Sequence, residues 1–334
     1  MKQLTRISLV GIFAIFACSM LLLAGCSQEP STYTPSTKAA QVSKPTIAND
    51  GVLRVGVNAN NAPLAGQSSS SQKVVGIDVD IAAAIADELG LSLEIVDVST
   101  DASGALTQGT VDMVMGISKT DSATSFWKSD VYLPSAVALF AQSSNTATPT
   151  NEASTRIGVQ VSSNSAWVTT NEFSNAEAVA SSDLKSAFSS LQSGSVNYVA
   201  ADAVVGTYVA KNASIDTNIV GILQSQSGYC VGVLDGNTQL KQAIATALAT
   251  ISSNGVSDVI QKKWLGKKMD LSSAKVVGSA ASNASSDTQE IAASQDEINS
   301  NSTSSSNNST SSSTNSTTTG TTSSNSTSTS TSSN

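Results

Sequence analysis

The chain has 334 residues and no histidine. That absence removes Ser-His-Asp and Cys-His catalysis together with the commonest metal-ligating side chain. Cysteine is nearly as scarce, at three residues. Cys18 lies inside an N-terminal apolar run, Cys26 closes that run, and only Cys230 is left for a folded body. A body with one thiol cannot contain an internal disulfide. Cys230, within Tyr229-Cys230-Val231, reads as a small buried hydrophobe. Arginine occurs only as Arg6, Arg54 and Arg156, and basic pairs stop at Lys262-Lys263 and Lys267-Lys268. With a net charge of -8 and a pI near 4.5, the chain offers no positive stripe for a phosphate backbone. Nucleic acid is therefore excluded as a partner.

What is present begins with an address. Lys2 and Arg6 precede the apolar run Ile7 to Leu23, and Leu23-Ala24-Gly25-Cys26 follows. A charged start, a short apolar core and small residues describe an export signal rather than a spanning helix. The cysteine after Leu-Ala-Gly resembles the lipobox of bacterial lipoproteins. Cleavage before Cys26 and lipidation of its thiol would tether the protein to the outer face of the cell membrane. Residues 26–45, rich in Ser, Thr, Pro and Gln, read as a flexible tether. From Asn299 to Asn334 only Ser, Thr, Asn and Gly occur, so nothing apolar offsets the ordering entropy. Residues 269–334 are expected to form a disordered tail, with a short helix near Gln289 to Ile298. Truncation after about Lys268 is accordingly expected to leave the melting temperature unchanged. The folded body is expected at residues 46–268.

Inside that body a weak repeat is legible. Arg54-Val55-Gly56-Val57 returns as Arg156-Ile157-Gly158-Val159, and the segment Leu106 to Val114 returns as Leu191 to Val199. Each copy reads as a helix end, a glycine C-cap and a buried strand. Two strand-helix-strand copies imply two similar α/β lobes. Strands are expected at 53–57, 91–98, 111–115, 156–160 and 196–200. Asp80 is a candidate cap for a helix carrying Ile81, Ile85 and Leu89, ended by Gly90. Leu184, Phe188 and Leu191 make a second apolar stripe, and Leu240, Ile244, Leu248 and Ile251 a third. Ligands of open α/β sheets bind beyond the carboxyl ends of strands. That rule selects Gly116 to Thr120 in one lobe and Ala201-Asp202 in the other, facing each other across a cleft.

These segments resemble the family 3 extracellular solute-binding proteins, receptors of amino-acid ABC importers. The resemblance rests on Gly51 to Val57, Gly76 to Ala82, Leu106 to Met115, Tyr198 to Asp202 and Ile260 to Gly266, which follow in the family's order. It implies a type II periplasmic-binding-protein-like α/β fold with two hinge strands and an interlobe cleft. Lobe 1 would be about 46–141 with 231–268, and lobe 2 about 142–230. By the same resemblance Asn58, Asn61, Leu64, Gly116, Ser118 and Thr120 would line the cleft from lobe 1. Ser163 and Asn164 would offer an anion seat at a helix start. Asp202 would accept hydrogen bonds from a ligand ammonium.

Each of these residues also has an ordinary structural duty. Asp202 can simply cap the helix that follows it. Ser118 and Thr120 can form turns, Asn58 and Asn61 are common loop residues, and the three tryptophans suit packing. Lys119 could stand in for a missing cation.

The chain departs from the family where Thr-x-x-Arg normally forks onto the ligand carboxylate, because it carries Thr120-Asp121-Ser122-Ala123. A charge-assisted bidentate pair contributes roughly 3 kcal/mol, about a hundredfold in affinity. The family's aromatic sandwich near Asn61, Leu64 and Ile77 is missing as well. The expected partners are therefore a small polar solute (amino acid, amine or short peptide), ABC permease subunits, and the membrane through the lipid. The protein is expected to be a monomer without cofactor, metal or catalytic residue. The other reading is a degenerate fold that serves as a surface interaction or sensor protein. Cys26→Ser is expected to move the protein from the membrane fraction into a soluble or uncleaved form on fractionation. A variant that fractionates like the parent would place the anchor elsewhere.

Overall fold

The computed structural model describes residues 38–278. Cys26, the first part of the expected tether, the Gln289 to Ile298 segment and the Ser/Thr/Asn-rich tail lie outside the described residues.

The elements run β1 (Val52–Val57), β2 (Asn60–Asn61), β3 (Ala65–Gln67), β4 (Val74–Val75), α1 (Ile77–Glu88), β5 (Ser92–Asp97), α2 (Ala102–Thr107) and β6 (Met113–Ser118). Then follow β7 (Trp127–Lys128), β8 (Leu133–Ser135), β9 (Val137–Gln142), β10 (Arg156–Gln160), α3 (Asn164–Glu172), β11 (Glu177–Ser181), α4 (Leu184–Gln192) and β12 (Tyr198–Asp202). The rest are α5 (Ala203–Asn212), β13 (Thr217–Ile222), β14 (Ser227–Val233), α6 (Thr238–Ser253) and α7 (Val256–Leu265). Among the described residues no single helix is long and apolar enough to cross a membrane.

Two sheets carry the fold, one per lobe. The first has the order β5-β1-β6-β14-β7, with β8 also on β14, and the second has the order β11-β10-β12-β9-β13. In each, three parallel strands are followed by an antiparallel one. The internal repeat maps onto this symmetry. Val55 pairs with Met113 in lobe 1 as Ile157 pairs with Tyr198 in lobe 2. The carboxylate of Asp112 accepts the Arg54 backbone N–H at 2.9 Å, and the amide oxygen of Asn197 accepts that of Arg156 at 2.9 Å. Both repeats therefore start their central strands with one polar clamp, which satisfies a backbone donor that the parallel ladder leaves open.

Several local expectations shift. The strand after Asp112 runs on through Ser118, so Gly116 to Ser118 belong to β6 rather than to a loop. The helix expected to begin at Asp80 begins at Ile77, after Gly76, with no side-chain cap. Asp80 instead lies in its first turn, where its carboxylate accepts Lys263 Nζ at 2.6 Å and Trp264 Nε1 at 2.7 Å. The apolar stripes are core faces: Phe188, Leu191, Leu240, Ile244 and Ile251 are all buried. Trp264 packs against the core, but Trp167 is largely exposed.

The chain crosses between lobes at other points than expected. Ser135 still pairs with β14 in the first sheet, whereas Val137 already pairs in the second, so the first crossing is at Ala136. The return lies between Ile222 and Ser227 rather than at Cys230. A third crossing follows α7. The helix α7 packs on α1 and α6 of lobe 1, Val276 then bridges to Ile222, and Val277 is buried in the second lobe. The body also starts earlier than residue 46. Val42 is buried, and the Gln41 backbone N–H donates to Leu89 at 2.9 Å. Both limits move for one reason: short apolar segments among polar residues carry no periodicity, yet they fill gaps at element ends.

The expectation that truncation at Lys268 is harmless is thereby reversed. Met269 and Leu271 keep 2 % and 3 % of their surface. Losing one large side chain from a core costs about 2–5 kcal/mol. A chain ended at Lys268 should unfold at clearly lower denaturant than one ended at Gly278. Coincident denaturation curves would show that the segment does not pack.

Candidate functional site

The carboxyl ends of β6 and β12 open onto a cavity of about 510 Å³. Lobe 1 contributes Ser118, Thr120, Ser135 and Tyr229, and lobe 2 contributes Asn164, Ser165 and Asp202. Two other hollows, of about 290 and 590 Å³, lack the paired strand ends of the two lobes. The strand-end rule therefore singles out the first.

Asp202 is the organising group. It caps α5, its Oδ1 accepting the backbone N–H groups of Val204 and Val205 at 2.9 and 3.0 Å. Its Oδ2 accepts Ser135 Oγ at 2.6 Å and Tyr229 Oη at 3.1 Å, both from the other lobe's sheet. Burial pushes the carboxyl above its ordinary range, opposed by these donors. The Tyr229 hydroxyl is pushed up in turn, by its own burial first and by the Asp202 charge beside it. The residue that caps α5 thus also lines the cavity. Four donors surround the carboxylate: the two helix N–H groups and two hydroxyls.

The remaining expected residues divide. Ser118 and Thr120 line the cavity, and their hydroxyls share a hydrogen bond of 3.0 Å. Asn164 lines it from the start of α3. Ser163 is the helix cap: its Oγ accepts Ala166 N–H at 3.0 Å and donates to the Gln160 carbonyl at 2.7 Å. Its one proton is thus committed, so the hydroxyl cannot donate to an anion. Asn58 accepts the Asn60 N–H in a turn, Asn61 lies in β2, and neither reaches the cavity lining. Leu64 is core, with 1 % of its surface exposed. Gly116 does not line the cavity; two residues before Ser118 in β6, it belongs with Asp78 and Tyr132 to a layer termed the floor. Its φ is +72°, and a Cβ there would stand 2.6 Å from Asp78 Oδ2. Only glycine fits that conformation and that contact.

That floor holds a second buried carboxyl. Tyr132 Oη donates to Asp78 Oδ1 at 2.5 Å and accepts Gly116 N–H at 3.0 Å. Burial raises Asp78 to about 7, and its partner's hydroxyl is raised by the same burial.

The cations near the site face away from it. Lys119 Nζ donates to the Ser129 carbonyl at 2.7 Å, and Lys128 Nζ to the carbonyls of Asp121 and Lys119. Lys119 therefore does not replace the missing fork. Arg54 pairs with Asp112, and Arg156 with Glu177, at the amino ends of their strands. Cys230 is fully buried, its thiol held up at about 11 by desolvation and donating to the Ile117 carbonyl at 3.2 Å.

Ser135, Ser165, Ser227 and Tyr229 were missed from sequence. Ser227 and Tyr229 share a strand face at period two, the one signal that pointed to them. Ser135 and Ser165 carried none.

Comparison with known proteins fits this geometry. Residues 53–267 match the model of the bacterial extracellular solute-binding proteins, family 3. The chain belongs to that family. At the family level it is a bacterial extracellular solute-binding protein. An ancestral cationic amino acid solute-binding protein superposes with a TM-score of 0.57 at 23% identity, covering 64% of this chain and 96% of its own. The substrate-binding protein of a polar amino acid ABC uptake transporter from Streptococcus thermophilus gives 0.58 at 21%, covering 65% and 87%. The unliganded, open L-cystine receptor of Neisseria gonorrhoeae gives 0.58 at 20%, covering 65% and 94%. These likenesses establish the two-lobed fold. No curated protein matches the chain.

The floor carboxyl sets a pH dependence. A carboxyl raised in the folded state stabilises fully below its unfolded pKa near 3.8, and that stability is lost as pH rises toward about 7. The whole effect is on the order of 4 kcal/mol. Asp78→Asn, which keeps an acceptor for Tyr132, should gain on the parent by about 2–3 kcal/mol between about pH 5 and 8 in denaturant unfolding. A constant difference across that range would mean that Asp78 does not titrate there.

Proposed function

We propose that the protein is a receptor tethered by lipid at Cys26 to the outer face of the cell membrane. It captures a small polar solute (amino acid, amine or short peptide) and presents it to the permease of an ABC importer. The observation that carries this reading is the cleft itself. Hydroxyls and amides from both lobes converge where the strand ends of two sheets meet, in a fold whose lobes close like a clamp on a ligand. Catalysis is not part of the reading. The two buried carboxyls are each bonded to a different tyrosine, Asp78 to Tyr132 and Asp202 to Tyr229, and not to each other.

The second reading, a degenerate receptor serving as a surface interaction or sensor protein, is favoured by one observation. Neither described arginine is near the cleft, so the family's usual grip on a carboxylate is gone. Against it stands the polar order that the cleft retains around Asp202.

A thermal-shift screen of the full chain against amino acids, amides, amines, short peptides and sugars separates the two. A solute at a hundred times its Kd should add about 2.7 kcal/mol of stability. A panel with no shift would overturn the receptor reading and leave the interaction protein.

A further inference from the structure

The ligand class can be narrowed from the protons already committed in the cleft, on the footing that the cleft is a solute site. Ser135 and Tyr229 both donate to Asp202 Oδ2. A hydroxyl has one proton, so toward the cavity each can only accept. Ser227 stands directly across from Ser135 in the β8–β14 ladder and two residues from Tyr229. The three side chains therefore issue from one face of the sheet. Ser227 Oγ is buried and has no hydrogen-bond partner among the described residues. Such a group is costly unless something bonds to it. Three oxygens thus converge, two of them restricted to accepting, with a carboxylate behind them.

A primary ammonium is the complement of that seat: three N–H donors and one positive charge. No basic side chain of the described residues is bonded to Asp202. The nearby cations, Lys119 and Lys128, are held on backbone carbonyls, and Asp78 adds a second acidic influence on Tyr229. No lysine or arginine lines the cavity, so no basic side chain of its described lining pairs with a carboxylate. We infer that the site takes a primary amine lacking a carboxylate, its ammonium bonded to the oxygens of Ser135, Tyr229 and Ser227 rather than to Asp202 directly. Asp202 is then a positioning residue, which orients two hydroxyls as acceptors and supplies the counter-charge.

Matched pairs test this on the full chain by calorimetry: arginine against its decarboxylated amine agmatine, and lysine against cadaverine. Each amine should bind at least tenfold more tightly than its parent amino acid. Trimethylation of the cadaverine nitrogens, which keeps the charge and removes the N–H donors, should weaken binding tenfold or more. Tyr229→Phe and Ser135→Ala should each lower amine affinity about tenfold. Asp202→Asn, which retains a cap acceptor, should erase the preference for amine over trimethylated amine. Tighter binding of either amino acid than its amine overturns the inference, as does indifference to trimethylation. The parent protein alone decides these two outcomes, so a variant that fails to fold does not obscure them. If the amines fail while another solute in the thermal-shift panel binds, the ligand class is wrong and the receptor reading stands. If nothing binds, both fall.

Discussion

The two lobes meet on one carboxylate. Asp202 ends a strand of the second sheet and caps the helix behind it, and it also accepts hydroxyls from two strands of the first. A buried carboxylate with fewer donors would protonate or draw in water, since an unpaired buried charge is costly. Its four donors satisfy it and fix three elements at one point. Because that point forms the cleft wall, the bonds that hold the crossing together also decide which lone pairs a solute meets.

The floor follows the same logic with one donor instead of four. Asp78 is fully enclosed and receives a single hydroxyl, so burial dominates and its pKa climbs to about 7, whereas Asp202 has its rise opposed by four bonds. The difference lies in the number of donors rather than in depth. Tyr132 passes the constraint on to Gly116, so a carboxyl in α1 sets the backbone of the strand that delivers Ser118 to the cavity.

Closure in this fold involves more than two hinges. The strap after α7 runs from a helix packed in the first lobe to the sheet of the second. Lys211, at the end of α5, also donates to the carbonyls of Lys263 and Trp264 at the end of α7. A cation on terminal carbonyls is favoured there by the helix dipole. The lobes are thus joined by three chain segments, by the hydroxyl bonds to Asp202 and by the Lys211 contact.

Much of this was legible beforehand, because it rests on local periodicity and pairing. The repeat Arg54 to Val57 and Arg156 to Val159 announced two matching sheets, since an apolar run after a glycine cap has few ways to be buried. Asp202, Ser118 and Thr120 could be named as cavity residues because strand ends open onto the crevice in such sheets, whereas Asn164, at a helix start, was implied by the family resemblance. Asn58, Asn61 and Leu64, named by resemblance, do not line the cavity, since Asn58 closes a turn, Asn61 lies in β2 and Leu64 packs in the core. The strap and the segment before residue 46 escaped notice because burial by gap-filling leaves no periodic signal. What the amino-acid order settled by itself was the architecture and the loss of the carboxylate fork. Which way each hydroxyl spends its proton was settled only by tertiary structure, because that depends on Ser135 and Tyr229, 67 and 27 residues distant, arriving beside Asp202.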